Sequence, residues 1–490
     1  MCGIVAATKS RNIDRLLHLI RHRGPDDCGI LREPEATLGH RRLSIIDVDG
    51  GHQPIANEDG TVSIVFNGEI YNFKQLYASL SETHTFSTRT DTEVILHLFE
   101  EMGASCVEKL DGMFAFAIFD AKTGELFLAR DRLGIKPLYS GTKDGTHYFA
   151  SELKTLAHCD DIAVFPPGHT YSSIHGYAGY FTLPSPAVSH ASGEEHIHNI
   201  RKFLFNAVEK RMIADVPVGV FLSGGLDSSI IAAIMRTCSR EVHSFAVGMK
   251  GSDDLANARI AAAHLGTTHH EFVYTSADME YVLSDVIYYL ESYDAPLVRS
   301  AIPCYFVSRL AHTHGIKVVL TGEGADELFS GYRYLKDIHD ERALEQELVR
   351  ITYSLHHTNL QRVDRMTMAH GVEARVPFLD IDFLTYVFSI PVHLKAAADK
   401  PEKWLLREAF RDLLPAAIID RPKQKFSAGA GSMHVLETIA DDEISTADFE
   451  QASSATDYPC RTKEELLYRR IFTSRFPEKT IACIGFTGVF

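Results

Sequence analysis

The sequence predicts an α+β domain followed by an α/β domain on a parallel sheet, with a helical C-terminal region. Three observations predict it. Residues 1–183 alternate short β-branched and aromatic runs with Gly, Asn and Asp turns. Beyond about residue 195, strand patterns alternate with helical ones. Between the two, composition shifts to Pro, Ser, Ala and His without apolar periodicity, as in a linker. The expected division is therefore 2–183, a linker at 184–194, and 195–480.

In the first domain, 60–67 and 112–119 read as strands. Residues 90–102 read as a helix, because Val94, Ile95, Leu98 and Phe99 recur at helical spacing before Gly103. In the second, 216–222 is an apolar run short enough for a buried strand, 228–237 is a helix and 243–248 a strand. Then follow a helix at 256–265, an extended 271–274, a helix at 300–314 and a strand at 316–320. This alternation implies a parallel sheet with helices on both faces, whose ligands bind beyond the carboxyl ends of strands. The loops after Leu222 and Leu320 are thus the places for chemistry. From Ile338 onward helices dominate.

Composition narrows the function. The 490 residues are 45% hydrophobic and 23% charged, which is globular. With 49 basic and 65 acidic side chains the net charge is −16, and no basic run offsets it, so no nucleic-acid partner is expected. No apolar stretch approaches the roughly 20 residues that span a bilayer, and the start lacks the features of a secretory signal. A cytoplasmic protein without a membrane partner is expected. The eight Cys residues form no CxxC pair, so neither a disulfide framework nor a cysteine zinc site is suggested. His18 and His22 stand at i, i+4 on an expected helix but lack the HExxH pattern, so they read as core or surface residues.

Cys2 directly follows Met1. Removal of Met would leave a thiol and an α-amine on one residue, the amine having a pKa of about 7.7–8.0 and so able to act as general base. The segment Arg21-His-Arg-Gly-Pro-Asp26 offers two guanidinium groups, and Arg42 another, suited to carboxylate capture. Asn67-Gly68-Glu69 reads alone as a hairpin turn. Its functional reading is an oxyanion hole from the Asn67 amide and the Gly68 N–H, with Glu69 and Asp91 holding an α-ammonium group.

Taken in order, Cys2-Gly-Ile, Arg21-His-Arg-Gly-Pro-Asp26, Arg42-Leu-Ser-Ile-Ile46, Asn67-Gly-Glu-Ile-Tyr-Asn72 and Thr90-Asp91-Thr-Glu93 resemble the glutamine amidotransferase domain of the N-terminal nucleophile (Ntn) hydrolase family. The resemblance implies a sandwich of two antiparallel sheets between helical layers. It implies that Cys2 attacks the glutamine amide, that Asn67 and Gly68 stabilise the oxyanion, and that Arg42, the Ile46 backbone, Glu69 and Asp91 bind glutamine.

Residues 218–222 lead into Ser223, Gly224, Gly225, Leu226, Asp227, Ser228 and Ser229, then into an apolar helix. Strand, glycine loop and helix make a nest of N–H groups that attracts phosphate. The serines add donors, and Asp227 suits Mg²⁺. There is no GxxxxGK[ST], so this is not a Walker loop. It is similar to the PP-loop of ATP pyrophosphatases, which implies ATP cleavage to AMP and pyrophosphate, with the Leu222 backbone, Val247 and Gly322 at the adenosine. After the strand at 316–320 comes Thr321-Gly-Glu-Gly-Ala-Asp-Glu-Leu328. There Asp326 pairs with Asp227 as a Mg²⁺ ligand, and Glu323 orients or deprotonates an attacking amine.

Gly371-Val-Glu-Ala-Arg-Val-Pro-Phe-Leu-Asp380 and Arg421-Pro-Lys-Gln-Lys-Phe-Ser427 extend the resemblance to the asparagine synthetase family over nearly the whole chain to about Phe476. Ala325 stands where that pattern commonly has Ser, and the tail from Ile481 matches nothing. By the resemblance, Lys423 neutralises charge on the α-phosphate, the substrates are glutamine, aspartate and ATP, and a homodimer is expected by analogy. An intramolecular ammonia channel is expected, its wall drawn from 113–119 and 134–138. The alternative is the same two-domain amidotransferase acting on a different carboxylate.

Overall fold

The computed structural model describes residues 2–184, 189, 191–396, 399–424, 426–431, 433–454 and 457–487. The expected linker at 184–194 and the unmatched tail therefore lie partly outside the described residues.

Twelve strands form the first domain: β1 (Gly3–Ala7), β2 (Asp27–Arg32), β3 (Thr37–Arg42), β4 (Ile55–Ala56), β5 (Val62–Ile70), β6 (Gly112–Asp120), β7 (Glu125–Arg130), β8 (Tyr139–Lys143), β9 (Thr146–Ala150), β10 (Asp161–Val164), β11 (His169–Ser172) and β12 (Gly176–Gly179). They make two six-stranded sheets, β10-β8-β9-β1-β3-β2 and β12-β11-β7-β6-β5-β4. Neighbouring strands in both sheets run antiparallel. Side-chain alternation explains why β1 and β6 are apolar on both faces. Ile4 and Ala6 meet Ala115 and Ala117 between the sheets, whereas Val5 and Ala7 face outward to Ile13 and Leu17. On the far side Phe114, Phe116 and Ile118 meet Val94, Ile95 and Leu98 of the helix Asp91–Met102. This is the expected sandwich of two antiparallel sheets between helical layers.

The second domain carries β13 (Val218–Phe221), β14 (His243–Gly248), β15 (Thr268–Val273), β16 (Val318–Leu320) and β17 (Glu373–Arg375). The order is β15-β14-β13-β16-β17, parallel throughout. The chain runs outward from β13 through β14 to β15, then returns to β13's other side with β16. That reversal opens a crevice between the loops after β13 and β16, where ligands of such sheets sit. Ile230 and Ile234 of the helix Leu226–Cys238 cover one side of the sheet, and Ile302 and Phe306 of the helix Ala295–Thr313 belong to a second core with Phe245 and Val247.

Several local expectations change. Asn67-Gly68-Glu69 lies inside β5 and makes no turn, because nine residues of β5 pair with β6 from Val62↔Asp120 to Ile70↔Gly112. Glycine is required at 68: a Cβ there would lie 2.1 Å from the Met113 carbonyl. The first helix ends at Leu19, so His22 lies beyond it, and its Nε2 meets Glu152 at 3.1 Å. The helix Ser276–Leu290 and strand β17 were not expected, the latter being too short for a periodic signal.

Candidate active sites in both domains

In the first domain the strands bring the expected residues to one cavity of about 30 Å³. Cys2, Arg42, Ile46, Gly68, Glu69 and Asp91 all line it. Asn67 does not line it but touches Cys2: the Cys2 N–H donates to Asn67 Oδ1 at 3.0 Å. This leaves Asn67 Nδ2 buried with no partner. Gly68 stands opposite Phe114, whose N–H and C=O are both spent on Asp131. Gly68 and Phe114 are thus a non-bonded pair of the ladder, and the Gly68 N–H points away from β6 toward the cavity edge. Burial pushes the Cys2 thiol above its ordinary value.

The acidic residues are arranged unequally. Glu69 Oε2 accepts from Arg375 Nη2 at 2.7 Å, while Glu69 Oε1 is buried and unpartnered. Asp91 accepts from the Ile70 N–H at 2.9 Å and makes no ion pair among the described residues. Burial raises its carboxyl to about 7. Arg42 spends its guanidinium on the carbonyls of Val48, Ile46 and Asp47 at 3.0, 3.2 and 2.6 Å, holding the loop that carries Ile46.

Arg23, expected with Arg21 to capture a substrate carboxylate, is fully buried and bonds the Cys2 carbonyl at 2.9 Å, Glu152 at 2.9 Å and Asp364 at 2.8 Å. It therefore fixes the Cys2 backbone and ties the two domains. The other surprise is β17. Glu373 lines the cavity around Cys2, and Arg375 reaches Glu69, so a strand of the second sheet forms a wall of the first site.

The second site occupies the crevice, a cavity of about 540 Å³, well inside the range of small-molecule pockets. Leu222, Ser223, Gly225, Leu226, Asp227, Ser228, Val247, Gly322, Glu323, Asp326 and Lys423 line it. Gly224 and Ser229 do not. Gly224 has φ +67° and packs so closely that a Cβ would sit 2.3 Å from the Asn257 backbone, and Ser229 is fully buried in the helix. Gly225 caps the helix Leu226–Cys238 without a side-chain bond, so its first N–H groups stay open to an anion.

Lys403 is the residue that sequence reasoning missed. Its Nζ, almost fully buried, lies 2.6 Å from Asp227 Oδ2 and 2.5 Å from Asp326 Oδ1. Lys423 Nζ lies 2.5 Å from Asp326 Oδ2. Burial raises the Asp326 carboxyl, but the two ammonium groups more than offset this and hold it well below the ordinary range. Glu323 pairs with Arg362. Glu327, buried beside Asp326 and accepting from Tyr332 at 2.5 Å, is raised to about 7 by burial first and the Asp326 charge second. Lys425 and the Ser427 side chain of the last basic motif lie outside the described residues.

The sites are joined by buried structure. Met113, Leu133 and Ile135 of the first domain share one apolar cluster with Leu222 and Leu226 of the phosphate loop. Among the described residues no helix is long and apolar enough to cross a membrane.

A glutamine amidotransferase domain family model matches residues 1–188, and an asparagine synthase family model matches 199–341 and 335–481. The chain is 40% identical over 514 residues to asparagine synthetase [glutamine-hydrolyzing] 2 of Arabidopsis thaliana, covering 98% of this chain and 88% of that protein. It is 39% identical over 510 residues to asparagine synthetase [glutamine-hydrolyzing] of Zea mays, covering 98% and 87%. A probable asparagine synthetase [glutamine-hydrolyzing] of Dictyostelium discoideum is 38% identical over 526 residues, covering 98% and 94%. Two domains in this order agree with these matches: the chain belongs to the glutamine-hydrolysing asparagine synthetase family.

Proposed function

We propose that this chain makes asparagine from aspartate, with glutamine as nitrogen donor and ATP as the activating reagent. The observation that carries this reading is the direct tie between the sites. Arg375 of the synthetase sheet holds Glu69 of the glutaminase pocket, and one apolar cluster runs from Met113 to the phosphate loop.

After removal of Met1, the Cys2 α-amine takes the thiol proton and the thiolate attacks the glutamine amide carbon. The unpartnered Asn67 Nδ2 and the Gly68 N–H then stabilise the oxyanion. The free Glu69 oxygen and Asp91, a buried carboxylate with no cation in contact among the described residues, hold the α-ammonium group. Arg42 and Ile46 complete the glutamine site. Ammonia leaves, and water cleaves the thioester to glutamate.

In the crevice, Ser223 to Ser229 cradle the pyrophosphate end of ATP, with Leu222, Val247 and Gly322 at the adenosine. The β-carboxylate of aspartate attacks the α-phosphorus, forming β-aspartyl-AMP and releasing pyrophosphate. Lys423 neutralises charge at the α-phosphate. Glu323 orients or deprotonates ammonia as it displaces AMP. The donors fit Mg²⁺, because Asp227 Oδ1 is buried without a partner and hard oxygens suit that ion. Asp227 and Asp326 would hold it, and it would offset pyrophosphate charge. In this structure Lys403 supplies the positive charge between them.

The proposed domains are 2–183 and 195–480, joined by 184–194; a cytoplasmic location and a homodimer are extended from the family resemblance. The test is Cys2→Ala. It should abolish glutamine hydrolysis while ammonia, aspartate and ATP still give asparagine and AMP in equal amounts. ADP in place of AMP would overturn the assignment of the second site.

A further inference from the structure

Away from both pockets, Glu58, His84, His97 and Glu100 place four donor atoms within 4.8 Å of one another. His97 Nδ1 lies 2.9 Å from Glu100 Oε2 and 3.8 Å from Glu58 Oε2. His84 Nδ1 lies 3.4 Å from Glu58 Oε1 and 3.8 Å from Glu100 Oε2. Both imidazoles thus turn Nδ1 toward the same two carboxylates. Tetrahedral zinc with bonds of about 2.0–2.2 Å separates its ligands by about 3.4 Å, in the middle of these distances.

The surroundings point the same way. Each outer nitrogen faces a further carboxylate: His97 Nε2 is 3.7 Å from Glu93 Oε1, and His84 Nε2 is 3.5 Å from Glu101 Oε1. At these distances the outer nitrogens stay close to carboxylates without a hydrogen bond, and His97 Nε2 is buried with no hydrogen-bond partner. The inner carboxylates are oriented too, Glu58 by the Thr85 N–H at 2.7 Å and Glu100 by Asn57 Nδ2 at 2.6 Å. A metal ion at this point would take the place of the proton that His97 Nδ1 shares with Glu100 Oε2 at 2.9 Å. Two protonated rings stacked at 4.4 Å would instead repel each other.

We propose that Glu58, His84, His97 and Glu100 form a structural divalent-metal site of the zinc class. It clamps the β4–β5 turn and the segment before Asp91 onto the helix Asp91–Met102, whose first residue enters the glutaminase pocket.

The test uses the full chain with Cys2→Ala, stripped with chelator and titrated with Co²⁺ alone. One equivalent should bind with the visible absorption of a tetrahedral N/O site and without a thiolate charge-transfer band. Zinc should displace it at one equivalent by elemental analysis. His84→Gln and Glu100→Gln, both at the rim of the cluster and checked by circular dichroism for folding, should each weaken binding at least about tenfold. Failure of the parent to bind one equivalent would overturn the proposal and leave a proton-bridged histidine pair. Unchanged affinity in both folded variants would overturn it equally.

Discussion

Replacing Glu69 by Gln separates its expected role in binding glutamine from its contact with the second domain. The side chain keeps its shape and an oxygen for Arg375, which also retains Glu373 at 2.6 Å and the carbonyls of Arg211 and Ile213 at 2.7 and 2.5 Å. The fold should therefore survive. What is lost is a charge-assisted hydrogen bond from the substrate ammonium to the unpartnered Oε1. Such bonds contribute roughly 1.5–3 kcal/mol. At about 1.36 kcal/mol per decade this is roughly a 10- to 150-fold fall in kcat/KM for glutamine. The assay pairs glutamate release with ammonia-driven asparagine formation, which should stay within about twofold of the parent. Glutamine hydrolysis within threefold of the parent would refute the ammonium-binding role. A parallel loss of ammonia-driven synthesis would mean that the residue acts only by holding the domains together.

Other consequences follow from the same geometry. Because burial puts the Asp91 carboxyl at about 7, it is charged above that pH and neutral below it. The KM for glutamine should then rise about tenfold between about pH 8 and pH 6, and Asp91→Asn should flatten that profile at a high KM. Met113, fully buried between the sites, should tolerate Phe at a stability cost of about 1–3 kcal/mol. Glutamine hydrolysis and ammonia-driven synthesis should both persist while nitrogen transfer between them falls; loss of both activities together would refute a channel at this position. Lys403→Met leaves Asp227 and Asp326 facing each other without their shared ammonium. Thermal stability should drop by roughly 3–5 kcal/mol, and added Mg²⁺ should restore part of it; a variant indifferent to Mg²⁺ would argue against a cation site there.

The parts of this molecule that were legible in its sequence are those whose signal is local. The strand and glycine loop at 218–229, and the apolar spacing of 90–102, state their structure within a dozen residues, and the structure adds only shifted ends. Asn67-Gly68-Glu69 misleads as an isolated triplet because turn chemistry is overruled by nine paired positions with β6. Arg23 and Arg375 could be named as motif residues, but their partners Asp364 and Glu69 lie hundreds of positions away, and no periodicity records such a pairing. Lys403 stands near Asp399, Lys400 and Glu402 in a stretch without a motif, and only the folded crevice places it between two carboxylates.

Transfer of one nitrogen between two sites in one chain can be followed directly. Glutamine labelled with ¹⁵N at the amide, supplied with aspartate, Mg²⁺ and ATP in the presence of unlabelled ammonium, tests it by mass spectrometry. Labelled asparagine should exceed the label's share of free ammonium and form mole for mole with AMP. Asparagine labelled only in proportion to the bulk pool, or glutamate release with neither asparagine nor AMP, would contradict it.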